Sequence, residues 1–98
     1  MWILSYDVDG RERALSVRVA HLTFGRKNTT SREGQTMTYD QPGFIHRPGV
    51  VWVGQSVLFL PSRDADELAG RLRGMGVRVR AVPIPVTLGT LQAFRRAA

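Results

Sequence analysis

Apolar and polar residues alternate in two short segments near the ends of the chain. Over residues 2–8, one side carries Trp2, Leu4, Tyr6 and Val8, and the other carries Ile3, Ser5 and Asp7. Residues 77–82 alternate in the same way, with Arg78 and Arg80 among the residues between the apolar positions. A period of two is typical of a strand with one buried side. The pattern predicts a first strand in the centre of a sheet and a last strand with a basic face.

Two segments have the three-and-four spacing of amphipathic helices. Between Arg11 and Phe24, apolar residues recur at Leu15, Val19 and Leu22, and Gly25 follows as a stop. A strand over Ala14–Val19 after a turn at Asp9-Gly10 is the alternative for the same residues. A second helix is predicted with either Ser62 or Asp64 as its cap and with an apolar stripe formed by Ala65, Leu68, Ala69, Leu72 and Met75. Its first turn is acidic, with Asp64, Asp66 and Glu67, a placement that complements the helix dipole.

The middle of the chain has weaker patterns. Residues 26–40 have almost no apolar content and predict a flexible basic loop or a hairpin tip, with a short strand at Thr36–Tyr39. Two Pro-Gly pairs then enclose Phe44–Arg47 as turns around a small apolar plug. Val50–Leu60 is the strongest strand signal, either as one long strand or as two strands folded at Gly54-Gln55.

This order of elements predicts one α+β domain over residues 1–98. Strand, helix, weak strand, strong strand, helix and strand make a ferredoxin-like βαββαβ sandwich, here with an extra C-terminal helix within residues 86–98. Both helices of that fold cover one face of the sheet and leave the other face open. On the open face we expect Ile3, Ser5, Asp7, Trp52, Ser56, Leu58, Arg78 and Arg80. Trp52 and Leu58 are the expected interface residues, because an apolar face is seldom left in water.

The charge of the chain is unevenly distributed. Fourteen basic and eight acidic residues give a formal charge of +6, and the excess lies wholly in the last 28 residues, after an electrically balanced first 70. Nearly all the basic residues are Arg, whose planar fork matches phosphate. We therefore expect a nucleic-acid-binding protein, as a homodimer, that grips the backbone of DNA or RNA through Arg26, Lys27, Arg32, Arg71, Arg73, Arg78 and Arg80. Arg95 and Arg96 extend this basic set. An aromatic pair for stacking bases is not expected on the open face, which favours backbone contact over base reading.

Four short segments carry a resemblance to a known family. They are Tyr6-Asp7-Val8, the basic residues Arg11 and Arg13, the third-strand segment Gln55–Phe59, and Val77–Ile84. Together they resemble the small ferredoxin-fold subunit of CRISPR adaptation complexes and the related virulence-associated D-type ribonucleases. The resemblance implies a homodimer that binds duplex nucleic acid. In members that are nucleases, it implies that paired Asp7 side chains hold a divalent metal.

Two alternatives stand beside nucleic-acid binding. The first is a metal-dependent nuclease centred on Asp7. Asp7 would be its catalytic residue and, together with Asp7 of a second copy, would bind Mg²⁺ or Mn²⁺. Without nuclease activity, no cofactor is expected. A cross-strand pair of Asp7 with Arg78 is the purely structural interpretation of this carboxylate. The second alternative is an assembly subunit that meets another protein through the open sheet face.

Cysteine and histidine usage excludes several other classes. With no cysteine, the chain has no disulfide framework, no thiolate nucleophile and no sulfur-ligated zinc site. His21 and His46 lack partners at metal-ligand spacing, and His46 is the better of the two for phosphate contact.

The first residues lack the features of a secretion signal and the longest apolar run is too short to span a bilayer. We therefore expect a cytoplasmic protein.

Overall fold

The protein has an α+β fold in which two helices lie against a four-stranded antiparallel sheet, as expected for the class. A computed structural model describes residues 1–87, 89–90 and 93, except for the side chains at positions 28, 30, 32, 37 and 39. In chain order the elements are β1 (Trp2–Asp7), α1 (Arg13–Phe24), β2 (Gly25–Arg32), β3 (Gln35–Pro42), a 3₁₀ turn (Phe44–His46), β4 (Val51–Gly54), β5 (Val57–Leu60), α2 (Ser62–Gly74) and β6 (Arg78–Pro83).

Strand β1 lies inside the sheet, as predicted. The strand order is β4-β5-β1-β6, and each neighbouring pair is antiparallel. A separate two-stranded sheet, β2-β3, is inserted between α1 and β4, so the chain order is only loosely ferredoxin-like. The helix prediction for residues 11–24 is confirmed over its competing strand, and Val50–Leu60 forms two strands rather than one.

The core lies between the sheet and the helices. Leu4 and Tyr6 of β1 are buried there, together with Leu68 and Leu72 of α2. Phe44, predicted as an apolar plug, is only 2% exposed and belongs to the same cluster. Full burial of one such side chain stabilises the fold by about 1.5–3 kcal/mol. Because Leu4 and Tyr6 are buried while Ser5 and Asp7 are exposed, the alternation over residues 2–8 identifies the core side of β1 correctly.

Leu58 and Trp52 do not lie on the open face. Leu58 is opposite Leu4 in the sheet and fully buried, so its assignment as an interface residue is wrong. Trp52 is opposite Leu58, and its ring packs edge-on against Phe24 of α1 with ring centres 5.4 Å apart, which also places it on the helix side. The four residues Val57–Leu60 are all apolar, so their sequence has no alternation from which the buried side could be read.

The open face of the sheet is the face turned away from the helices. Register places Phe59 of β5 and Val82 of β6 on either side of Ile3, and Val51 of β4, which is buried, beyond Phe59, so an apolar row crosses all four strands. The pairs Ser5 with Arg80 and Asp7 with Arg78 follow along the sheet, as expected for β1 and β6. Asp7 and Arg78 are opposite each other, but no ion pair among the described residues joins them.

Residues 26–40, expected to be a flexible loop or a hairpin tip, form a β-hairpin, and the short strand predicted at Thr36–Tyr39 lies within β3. Strands β2 and β3 pair without interruption from Gly25 opposite Pro42 to Arg32 opposite Gln35. The two residues between the strands, Glu33 and Gly34, both have positive φ angles, of 53° and 77°. Positive φ at both positions of a two-residue loop is the geometry of a tight hairpin turn. Low apolar content here reflects a hairpin that extends outside the core.

The predicted tail helix within residues 86–98 lies largely outside the described residues, as do Arg95 and Arg96. Over the described ranges, no helix is long and apolar enough to cross a membrane.

The base of the hairpin is a close crossing of backbone at Gly25 and Gly43. Gly25 follows α1 directly and has a φ of 82°, which favours glycine. A Cβ on Gly43 would meet backbone atoms of Gly25, Thr23 and Phe24. Neither segment can carry a side chain at this point without moving the other. The crossing therefore determines where the hairpin leaves the domain.

Gly43→Ala tests this crossing. We expect the substitution to lower the free energy of unfolding by about 1–3 kcal/mol, because its methyl group meets backbone that cannot rotate away. Gly70→Ala is the matched control, since Gly70 is inside α2 and a Cβ there meets nothing within 4 Å. That control should raise stability by about 0.5–1 kcal/mol through helix propensity. Urea unfolding measures both, and equal effects would contradict a steric crossing.

Candidate functional site

A basic cleft lies between the two helices, the 3₁₀ turn and the base of the hairpin. Its volume is about 670 Å³. Five basic side chains from four parts of the chain line it: Arg18 and His21 of α1, Arg26 of β2, Arg47 after the 3₁₀ turn, and Arg71 of α2. None of the described residues that line the cleft is acidic. The cleft is therefore suited to an anionic ligand.

Arg47 is fixed by two carboxylates of α2. One of its terminal nitrogens donates to Asp64 at 3.1 Å and to Glu67 at 3.0 Å, and the other donates to Glu67 at 2.9 Å. Its guanidinium carbon lies 3.9 Å from the centre of the Phe44 ring. A two-pronged contact with a carboxylate and a stack on an aromatic ring both restrict the plane of the group. Arg47 thereby fastens the segment before β4 to α2.

Glu67 links Arg47 to the second arginine of this wall. Arg71, one turn later on α2, lies 3.1 Å from Glu67. The hydrogen bonds from Arg47 hold the pKa of Glu67 below its usual range, and the charges of Arg47 and Arg71 act in the same direction. The same bonds raise the pKa of Arg47. One carboxylate, that of Glu67, therefore holds two guanidinium groups together on this wall.

The arginines of the cleft keep donors for a ligand. A guanidinium has five N–H groups, and three of those on Arg47 are used by Asp64 and Glu67. Arg26 uses its Nε to donate to Gln41 at 3.2 Å. Each side chain is thus oriented by a neighbour while its other N–H groups remain for phosphate or carboxylate oxygens.

A side groove lies on the other side of the hairpin base. It has a volume of about 460 Å³ and is lined by Phe24, Lys27, Asp40 and His46, among others. The cleft and the side groove share one wall, formed by Arg26, Gln41 and Pro42. In the side groove, His46 accepts a hydrogen bond from the backbone N–H of Gly43 at its Nδ1, 3.1 Å away. The proton of the neutral ring is therefore on Nε2.

The basic residues selected from the sequence are divided among several surfaces. Arg26 and Arg71 meet in the cleft, and Lys27 lines the side groove. Arg73 makes a long 3.4 Å contact with the carbonyl of Val79. The remaining positions are elsewhere: Arg78 and Arg80 lie on the open face of the sheet, and the side chain of Arg32 is not among those described.

Three of the five basic residues that line the cleft were not selected from the sequence. Arg18 and His21 are three positions apart on α1, and this spacing places both on one side of a helix. The spacing was therefore a sequence signal that these two basic residues lie together. Arg47 had a weaker signal, as a single Arg between two turns. Its partners, Asp64 and Glu67, were interpreted as complements to the helix dipole, and the contact with Arg47 spans 17 and 20 residues.

Asp7 lies apart from both concave sites, exposed on the open face of the sheet. Within the described part of the chain, no group of three or more His, Asp or Glu side chains could hold a metal ion. A metal at Asp7 would need carboxylates from a second copy, as the sequence hypothesis requires.

Comparison of the chain with protein-family models, with curated proteins and with solved structures finds no match. The resemblance to the small CRISPR subunit and to the D-type ribonucleases stays a hypothesis that depends on its four short segments.

The lowered pKa of Glu67 generates a pH prediction. A carboxyl group with a lower pKa in the folded state binds fewer protons there than in the unfolded state, so its contribution to stability is lost as the pH falls through that folded pKa. Between about pH 5 and pH 3, wild-type stability should fall more steeply than that of Glu67→Gln. Urea unfolding across this range makes the comparison.

The control for this prediction is Asp66→Asn, the neighbouring exposed carboxylate on α2. It should keep the wild-type slope. If Glu67→Gln and Asp66→Asn alter the slope equally, the contact with Arg47 is not what makes stability depend on pH.

Proposed function

We propose that the protein binds nucleic acid by its phosphate backbone. The observation that carries this proposal is the convergence of four arginines and a histidine, from both helices, the hairpin and the segment before β4, on one cleft whose described lining has no acid. Phosphate is the anion that Arg binds with the best geometry, through two parallel N–H groups. Backbone contact is also the largest sequence-independent source of affinity for nucleic acid.

Pre-orientation of the arginines supports the proposal. An exposed arginine loses side-chain freedom when it binds a ligand, and this loss reduces affinity. Arg47, Arg71 and Arg26 are already held by Asp64, Glu67 and Gln41. Much of the ordering cost is therefore met in the folded protein, before a ligand arrives.

We propose further that the protein is a homodimer with a ferredoxin-like sheet into which the β2-β3 hairpin is inserted. In support, β6 lies beside β1 and antiparallel to it, as the last strand of that fold does. The open face has the apolar row of Ile3, Phe59 and Val82, and Val82 is 45% exposed. A second copy is the occupant proposed for this face. The nuclease alternative with Mg²⁺ or Mn²⁺ at Asp7 stays a prediction and has no further support.

The double variant Arg26→Ala/Arg71→Ala tests the proposed function. Binding to labelled DNA and RNA, measured by fluorescence anisotropy over a range of salt concentrations, should weaken about tenfold or more. The slope of log affinity against log salt concentration should decrease in magnitude by about one for each phosphate that is no longer neutralised by an arginine. Affinity should fall similarly for all base sequences, because phosphate contacts carry no sequence information.

Arg63→Ala is the matched control for charge, since Arg63 is exposed on α2 and does not line the cleft. It should reduce binding much less than the double variant. The pair Arg78→Ala/Arg80→Ala separates the sheet face from the cleft. Failure of the wild-type protein to bind any nucleic acid at low salt would overturn the proposal.

Val82→Asp tests the homodimer. A carboxylate in the apolar row would be buried without a partner in a sheet-face dimer, so we expect dissociation to monomers. Val17→Asp, on an exposed position of α1, is the control and should leave the dimer intact. Sedimentation equilibrium gives the molecular mass, and a monomeric wild-type protein at high concentration would contradict this part of the proposal.

A further inference from the structure

We infer that the cleft and the side groove together form one path for a single strand of nucleic acid, with phosphates in the cleft and a base against Phe24 in the side groove. This inference rests on the proposed function. It adds that the nucleic acid is single-stranded and names the path that the strand takes across the protein. Three features of the site carry it: the concave shape, the shared wall, and the different chemistry of the two halves.

The shape favours a single strand over a duplex. Both sites are open recesses between elements, and their volumes of about 670 Å³ and 460 Å³ fall within the range of small-molecule sites. Duplex DNA presents its phosphates on a wide convex surface, with grooves about 6 and 12 Å across. Such a surface can touch the rim of a recess but cannot enter it. One or two nucleotides of a single strand can.

The shared wall makes the two recesses continuous. Arg26, Gln41 and Pro42 line both, and the hydrogen bond from Arg26 to Gln41 fixes the arginine at the crest between them. A strand that leaves the cleft past Arg26 therefore reaches the side groove directly. Successive phosphates of one chain are close enough to use neighbouring cations along such a path.

The two halves differ in charge and in apolar character. The lining of the side groove includes an acid, Asp40, which is opposite Lys27 in the hairpin. The described lining of the cleft has four arginines and no acid, and the carboxylates that pair with Arg47 and Arg71 lie outside that lining. Phe24 lines the side groove and is held edge-on by Trp52, and a fixed ring is a platform on which any base can stack. Phosphates are thus assigned to the cleft and a base to the side groove.

The experiment compares thymidine oligonucleotides of about two, four and eight residues with a blunt duplex, all labelled alike, by fluorescence anisotropy at low salt. We expect the single strands to bind about tenfold tighter than the duplex, with affinity rising until an oligonucleotide spans both recesses. Phe24→Leu should weaken binding of the longest strand about fivefold or more and leave the shortest strand unchanged.

Phe59→Leu is the matched control, because Phe59 lies on the open face of the sheet. It should bind all strands as the wild type does. In a Trp2→Phe background, the fluorescence of Trp52, which contacts Phe24, should change when the longest strand binds and remain constant with the shortest. This second readout does not depend on substituting Phe24.

The outcomes separate this inference from the proposed function. Equal or tighter binding of the duplex would overturn the single-strand path and leave backbone binding intact. Single-strand binding that is indifferent to Phe24→Leu, with constant Trp52 fluorescence, would overturn the assignment of the side groove. No binding of any probe would overturn both proposals.

Discussion

The arrangement of the site depends on Arg47. This side chain joins the segment before β4 to helix α2, through Asp64, Glu67 and the ring of Phe44. It is 36% exposed, so it retains part of its hydration and avoids most of the desolvation penalty of a buried ion pair. Phe44 is in the core, so the stacking of Arg47 on its ring ties Arg47 to the core. Glu67 contacts both Arg47 and Arg71, so it orients the two arginines on one wall of the cleft.

The crossing of Gly25 and Gly43 has a complementary role on the opposite wall. It brings the end of α1 against the start of the 3₁₀ turn and leaves no room for a connecting loop. The hairpin must therefore emerge at the mouth of the cleft, with Arg26 and Gln41 in its first rungs. One wall is thus positioned by electrostatics and the other by steric exclusion. Neither feature contributes a residue to the main sheet, although together they define the concave surface.

The sequence was sufficient for elements whose pattern is local. Alternation over residues 2–8 identified the core side of β1, and the apolar stripe from Ala65 to Met75 identified α2. Prediction failed where the deciding information was not local. The uniformly apolar Val57–Leu60 conceals its buried side, so Leu58 was misplaced on the open face. The hairpin was one of two interpretations of residues 26–40, and its first strand and full length were not predicted because they depend on pairing; its clearest short-range signal was the Glu33-Gly34 turn. The contact of Arg47 with Glu67 joins residues 20 positions apart and has no pattern in the sequence.

The distribution of charge along the chain is a poor guide to the electrostatics of the folded surface. The formal excess lies in the last 28 residues, yet Arg18, Arg26 and Arg47 of the cleft come from the balanced first 70. What makes the cleft basic is the position of the acids rather than their number. Asp64 and Glu67 bind Arg47 from outside the cleft lining, and Asp40 lies across the hairpin in the side groove. Carboxylates in those positions orient cations without covering the N–H groups that a phosphate would use. An electrically neutral segment can therefore fold so that its arginines line a recess while the carboxylates that pair with them lie outside the lining.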